Sequence, residues 1–276
     1  MSFIKRILVP TDFSPAADNA LRYACLLGEL TQAEIKVLHV FNVPVVDPYM
    51  PGDTMEAMMQ EIKKAAEENM ERTLQAQNFP KISGECILGF VTDDVAQYAH
   101  EQSADMIVMG TTGASGVKEI LFGSNASGVM AKAHIKVLSV PAEYTEHVKP
   151  SKMVYASDFT GNEEMRCLIF ADLAKAWGTE LEVLHVKSDE PVFSSEPPAV
   201  LIEKIKTKIG HAEIRFEEIS SNDVTAAIET YVQSTGANIL GMAMHKRNLF
   251  ERMFSKSKTK EIAHHAQIPL ITLQKD

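Results

Sequence analysis

The sequence predicts an α/β fold written twice: two tandem open-sheet domains, each a five-stranded parallel sheet with helices on both faces. Three observations carry this. Words repeat: FIKRILVPTDF (3–13) returns as SKMVYASDF (151–159), IKVLHV (35–40) as LEVLHV (181–186), and ADMIVMGTTG (104–113) as ANILGMAMHK (237–246). Short β-branched runs alternate with helical periods, which makes a parallel sheet with crossover helices. The runs are continuous, as in DMIVMG (105–110), because strands covered on both faces have no polar side.

Asp12 and His39 recur as Asp158 and His185 at a spacing of 146, which falls to 133 later in the copies. The change places a 13-residue deletion inside the second copy. We expect domains over 1–143 and 150–276. PAEYTEHVKPSK (141–152), with prolines near both ends, is the linker.

In the first copy RILVP (6–10) is a buried strand. Ser14-Pro15 opens a helix, with serine as N-cap and proline at the first helical position. Leu21, Ala24, Cys25 and Gly28 share one face of it. EIKVLHVFNV (34–43) is the second strand and PVVDPYMPGD (44–53) a loop. A long charged helix runs from Thr54 to about Gln77. Its stripe of Met55, Met58, Met59, Ile62, Ala66, Met70 and Leu74 reads as packing against the sheet, with an adaptable lid as the sharper alternative. SGECILGFV (83–91) is a strand, Thr92–Gln102 a helix with Val95, Ala96 and Ala99 inward, and DMIVMG the fourth strand. A helix starts near Ser124, and IKVLSV (135–140) is the fifth strand. The second copy repeats the order, with a loop at 188–200 and a helix near 199–209 of about half the length of its partner.

Composition narrows the function. A net charge of −10 disfavours general nucleic-acid binding. The N-terminus enters a strand without a leader, and no apolar run reaches membrane-spanning length. Three sparse cysteines suit a reducing compartment, with Cys25 and Cys167 as buried apolar residues. A cytoplasmic location follows as an expectation.

The chemistry sits in MGTTGASGVKEILFGSNASG (109–128). It is neither a Walker A loop nor a dinucleotide fingerprint. Gly110 ends a strand at its carboxyl edge, where open sheets place ligands. Gly123-Ser124-Asn125 opens a helix whose free N–H groups and dipole favour phosphate. The alternative is a flexible loop with a Ser124 cap. Asp12, just past the first strand, also serves as an Asx turn. His39 and His185 read as packed, hydrogen-bonded residues and are given no chemical role.

ILVPTDFS, VLHV and the pattern Gly110-x2-Gly113-x9-Gly123-Ser124 together resemble the universal stress protein family. The resemblance covers both copies. It implies the adenine-nucleotide alpha-hydrolase-like, Rossmann-like sheet, and an adenine nucleotide: ATP, or AMP or ADP, with or without Mg²⁺. It implies that Pro10, Thr11 and Asp12 line the adenosine side, that Val40 contacts adenine through its backbone, and that Gly110, Gly113, Gly123, Ser124 and Asn125 hold phosphates. It also implies pairing of the two copies through VLSV and LITL on a pseudo-twofold axis, and a homodimer as a further step. Lys136 departs from the family, which commonly has proline there.

The second copy has Ala243, Lys246 and Lys256-Ser257 where the first has Gly110, Gly113 and Gly123-Ser124, so no ATP is expected there. Lys246, Arg247, Arg252, Lys256, Lys258 and Lys260 fall within 15 residues, relieved by Glu251. They read as a solvated face, or as a docking site for another anion or an acidic partner. His245, His264 and His265 match no standard zinc spacing. Three functions stand on the sequence: a nucleotide-binding stress or signalling protein, at most a slow ATPase; an ATPase or nucleotidyl transferase, for which no general base, arginine finger or metal-carboxylate pair is evident; and a nucleotide-free interaction module.

Overall fold

The computed structural model describes residues 4–42, 51–111, 124–188, 197–209, 214–244 and 268–274. Two compact units emerge, one mainly Ile4–Ile135 with Ser139–His147, the other mainly Val148–Asp276.

The first copy runs β1 (Arg6–Pro10), α1 (Pro15–Thr31), β2 (Glu34–Phe41), α2 (Gly52–Gln75), β3 (Ile82–Leu88), α3 (Val91–Glu101), β4 (Met106–Gly110), α4 (Ser124–Lys132) and β5 (Lys136–Val140). Its strands lie in the order β3-β2-β1-β4-β5. Central β1 pairs in parallel with β2 (Ile7 opposite Ile35) and β4 (Ile7 opposite Met106). Ile7, Leu8 and Val9 are buried, as the continuous apolar run requires. Helix α1 starts on the Ser14 cap, whose hydroxyl accepts from Ala17 N, with Pro15 at N1. It buries Leu21, Ala24 and Cys25, and a Cβ on Gly28 would meet the Phe79 ring at 2.9 Å, so helix and loop touch through that glycine.

The second copy runs β6 (Lys152–Ser157), α5 (Glu163–Trp177), β7 (Glu180–Lys187), α6 (Pro198–Ile209), β8 (Ile214–Ser220), α7 (Val224–Thr235), β9 (Ile239–Met244) and β10 (Leu270–Gln274). Strand order is β10-β9-β6-β7-β8, the same arrangement. Pairs β6/β7, β6/β9, β7/β8 and β9/β10 are parallel.

Two sequence expectations need correction. The third strand stops at Leu88 instead of running to 91. Gly89 N still donates to Phe41 O, but Phe90 N donates to the Asp94 carboxylate and the chain turns into α3. The methionine stripe is only partly core. Ala66 and Met70 are buried, Met58, Met59 and Ile62 half-buried, and Met55 exposed. The reason is length. Helix α2 has 24 residues, about 36 Å, whereas seven-residue β3 spans about 23 Å. In the second copy α6 has 12 residues, about 18 Å, though Val200 in its first turn is exposed.

Candidate functional site

The carboxyl ends of β2, β1 and β4 stand side by side, with β1 in the middle. The chain leaves β1 toward β2 and β3, then returns to place β4 on the other side. That reversal is a topological switch point, and the crevice it opens is where parallel α/β sheets bind ligands.

Pro10 ends β1, and Thr11 N donates to Leu38 O at 2.9 Å. Two side-chain turns come next. Thr11 Oγ1 accepts from Phe13 N at 2.9 Å, and Asp12 Oδ1 accepts from Ser14 N at 3.0 Å. Between them Phe13 has φ +61°, a left-handed conformation costing a non-glycine residue about 1 kcal/mol. The Asx turn anticipated for Asp12 is therefore present. It lifts Asp12 to the solvent-exposed edge beside the start of α1. His39, on β2, holds the turn from the other side: its Nδ1 lies 2.8 Å from Thr11 O, and its ring packs on Phe13 with centroids 4.3 Å apart. Its neighbour Val40 is buried. Both histidines are structural ties, since His185 Nδ1 meets Ser157 O at 3.0 Å in the second copy.

Gly110 ends β4 against α1. A Cβ there would stand 3.0 Å from Ala16 O and 3.1 Å from Ala16 C, both rigid backbone atoms. Strand end and helix start thus approach main chain to main chain. Thr111 N then donates to Val140 O at 3.1 Å. Ser124 and Asn125 are exposed at the start of α4. Gly113 and Gly123 lie outside the described residues. Pro10, Thr11, Asp12, Val40 and Gly110 are brought to the ends of three adjacent strands. Near them, burial pushes the Asp18 carboxyl above its ordinary range, opposed by Arg22 and reinforced by Asp12. Among the described residues, no group of three or more His, Cys, Asp or Glu is placed to hold a metal ion.

The same turn exists in the second copy. Ser157 Oγ accepts from Phe159 N at 2.9 Å, Asp158 Oδ1 from Thr160 N at 3.1 Å, and Phe159 has φ +51°. Past this turn the two copies diverge. Helix α5 begins at Glu163, the position of Ala17, two residues later than α1. Glu163 is 3% exposed, and its Oε1 accepts from Tyr155 Oη and Ser157 Oγ, each at 2.6 Å. Its Oε2 pairs with Arg166 Nη1 at 2.9 Å, and the guanidinium also donates to Thr160 O. Burial and the carboxylate together hold the Tyr155 hydroxyl and Cys167 thiol well above their ordinary ranges. Sequence reading missed this network, although a signal was there. At the 146 spacing, Tyr155, Glu163 and Arg166 replace Val9, Ala17 and Ala20, three inward apolar positions. Ala243 stands in β9 where the first copy has Gly110. Lys246, Lys256, the rest of the basic cluster and His245, His264 and His265 lie outside the described residues.

A parallel open sheet with a switch-point crevice, built twice in one chain, defines a tandem α/β protein of the Rossmann-like kind. Comparison with known proteins narrows that class. The sequence profile of the universal stress protein family matches residues 4–141 and again residues 151–274. The chain belongs to the universal stress protein family, as two tandem domains of it. It is similar to universal stress protein MJ0531 of Methanocaldococcus jannaschii, 30% identical over 138 residues covering 49% of this chain and 81% of that protein. Universal stress protein YxiE of Bacillus subtilis is 28% identical over 144 residues, 49% of this chain and 97% of that one. A solved universal stress protein from Archaeoglobus fulgidus shares the fold along nearly the whole length: TM-score 0.69, 21% identity, 99% of this chain and 97% of that one.

Proposed function

We propose that this protein binds one adenine nucleotide, ATP with ADP or AMP as alternatives, in a first domain spanning 1–143, and that the second domain, 150–276, is structural or regulatory. The observation that carries the reading is the switch point itself. It sets the Asp12 turn and the side-chain-free end of β4 on adjacent strands of the first copy. Gly110 packs against the Ala16 main chain at the edge of that crevice, and the glycine pattern continuing to Ser124 is that of a phosphate cradle.

Each residue has a physical role in this reading. Asp12 faces the ribose hydroxyls as acceptor, with its turn fixed by Thr11, Ser14 and His39. The main chain at Val40 reads the adenine edge. Gly110, Gly113 and Gly123 let the phosphates reach backbone N–H groups, and Ser124 and Asn125 add the N-terminus of α4. Mg²⁺ would be held by the phosphates and would neutralise part of their charge. The protein acts as a cytoplasmic stress-response or signalling protein, with at most slow ATP hydrolysis. The copies pair through VLSV and LITL.

Release and identification of small molecules from the purified protein, followed by calorimetric titration with ATP, tests this. One nucleotide per chain supports the reading. Two per chain overturns the assignment to the first domain alone. None, with no heat, moves the protein to the nucleotide-free class, a reading favoured by the independent packing need for Gly110.

A further inference from the structure

One helix holds both the foot of the glycine loop and the segment that leads from the first copy into the second. Thr111 follows Gly110, and its N–H donates to Val140 O at 3.1 Å. The next residue, Pro141, offers its carbonyl to Asn19 Nδ2 at 3.0 Å, and Tyr144 O accepts from the same amide at 2.8 Å. Asn19 lies about one turn along α1 from Ala16, the residue that Gly110 approaches. Tyr144 also stands edge-on to Tyr23, with ring centroids 5.7 Å apart. A displacement of 141–147 therefore pulls on Val140 and on α1, the two elements that hold Thr111 and Gly110.

This contact is held against a cost. Tyr23 Oη, Tyr144 Oη and His147 Nε2 are buried in it without a hydrogen-bond partner. Each unmet polar group subtracts from the stability of the closed form, so the segment can leave α1 while the sheet stays folded. His147 makes a hydrogen bond to the Asn19 backbone, and the charge that acts on it from α1 is Arg22. Asp18, one turn earlier, acts on Arg22 in turn. On the segment itself Glu143 and Glu146 are exposed, and burial keeps the Tyr23 and Tyr144 hydroxyls neutral. Burial and Arg22 both disfavour a charged imidazole, so a proton on His147 opposes closure.

The second copy is the control. Met165, Leu168 and Ile169 stand at the positions of Asn19, Arg22 and Tyr23, and Met165 is 54% exposed. Helix α5 folds without those side chains, in the copy that has lost the glycine pattern. We propose that segment 141–147 is a proton-operated latch on the nucleotide site: closed on α1 it fixes the foot of the glycine loop for phosphate, and a proton on His147 releases it. The latch rests on the nucleotide reading above. Coupling is reciprocal, so a nucleotide held tighter by the closed latch also closes it.

Hydrogen–deuterium exchange of 141–147, corrected for intrinsic rates, and calorimetry with ATP test this at about pH 7.5 and about pH 5.5, either side of the ordinary histidine value. At the higher pH, ATP is expected to slow exchange of the segment at least about fivefold. Asn19→Ala should speed that exchange and weaken ATP at least about fivefold. Tyr144→Phe removes an unmet hydroxyl and keeps the ring, so it should slow exchange and tighten ATP. His147→Gln is the reference for acid, because the titration of ATP itself is common to both proteins. Wild type should lose more affinity between the two pH values than this variant does. ATP that binds without slowing the exchange overturns the latch. So does an Asn19→Ala or Tyr144→Phe variant that changes exchange at unchanged affinity, or an acid loss equal in wild type and His147→Gln. No heat with ATP at either pH overturns the nucleotide reading and the latch together, a result distinct from binding without protection.

Discussion

Phe13 and Phe159 sit at left-handed φ in turns made by side chains, and the chain repeats the device 146 residues apart. A strained residue held by a Thr or Ser hydroxyl on one side and an Asp carboxylate on the other keeps a fixed edge at each strand end. Asp12→Ala removes one of those holds and the proposed ribose acceptor, so ATP affinity should fall at least about tenfold by calorimetry. Gly113→Lys writes the second copy's residue into the first and should abolish binding at the same concentrations. If neither variant changes affinity, the site assignment is wrong. Glu163 tests a different point. Its removal would leave the Arg166 guanidinium buried without a carboxylate, at a cost of about 3–5 kcal/mol. Trp177, the one tryptophan, is buried at the end of α5 and reports on this domain. Glu163→Ala should therefore shift the urea transition seen by its fluorescence to lower denaturant. Replacing Glu163 and Arg166 together by apolar residues should recover the part of the loss that comes from the unpaired guanidinium, while the Tyr155 and Ser157 hydroxyls still lack their acceptor. The burial that holds the Cys25 thiol up to about 11 predicts that it resists alkylation at neutral pH in the native protein, which mass spectrometry checks.

Among the elements, α1 joins strand end and inter-domain segment. Its N-terminus meets Gly110, and its Asn19 side chain donates to Pro141 O at 3.0 Å and Tyr144 O at 2.8 Å, tying the 141–147 segment to the helix. His147 belongs to this tie. Burial first, then Arg22, lowers its pKa below the usual value, against a hydrogen bond to the Asn19 backbone. A histidine with a depressed folded pKa binds more protons when released. Its contribution is complete above its ordinary pKa of about 6.5 and is lost as pH falls from there through the folded value. Limited proteolysis within 143–149 should thus accelerate in mild acid, and His147→Gln should flatten that dependence. Equal rates from neutral to mildly acidic pH would refute the tie. Helix α2 shows how an element departs from its sequence pattern. Its apolar stripe is continuous in sequence, yet burial stops where β3 stops, because a seven-residue strand cannot cover a 24-residue helix.

For the whole molecule the duplication is the controlling fact, since each copy serves as the other's reference. Placing the glycine loop 110–128 in the second copy should not by itself produce a second nucleotide. The buried Glu163–Arg166 pair and the later start of α5 also distinguish that site, and native mass spectrometry would count the bound ligands. Much of this was legible in the sequence. Element order, the shortened α6, the Ser14 cap, the Asx turn at Asp12 and the packed histidines all follow from local periodicity, turn chemistry and the repeat, which neighbouring residues encode. The position of Gly110 at the end of a strand was equally local. Other features were not legible because they depend on residues far apart in the chain. Which strands flank β1, and hence that its end is a switch point, is set by the order β3-β2-β1-β4-β5. That Gly110 meets the Ala16 carbonyl, that Glu163 gathers Tyr155, Ser157 and Arg166, and that Leu88 and Phe90 stay uncovered all required the packed chain. The sequence by itself determined the family, the two copies and the candidate residues, because backbone geometry and hydrophobic period act over a few residues. The tertiary structure alone decided which of those residues meet, because close packing and hydrogen-bond satisfaction are properties of neighbours in space.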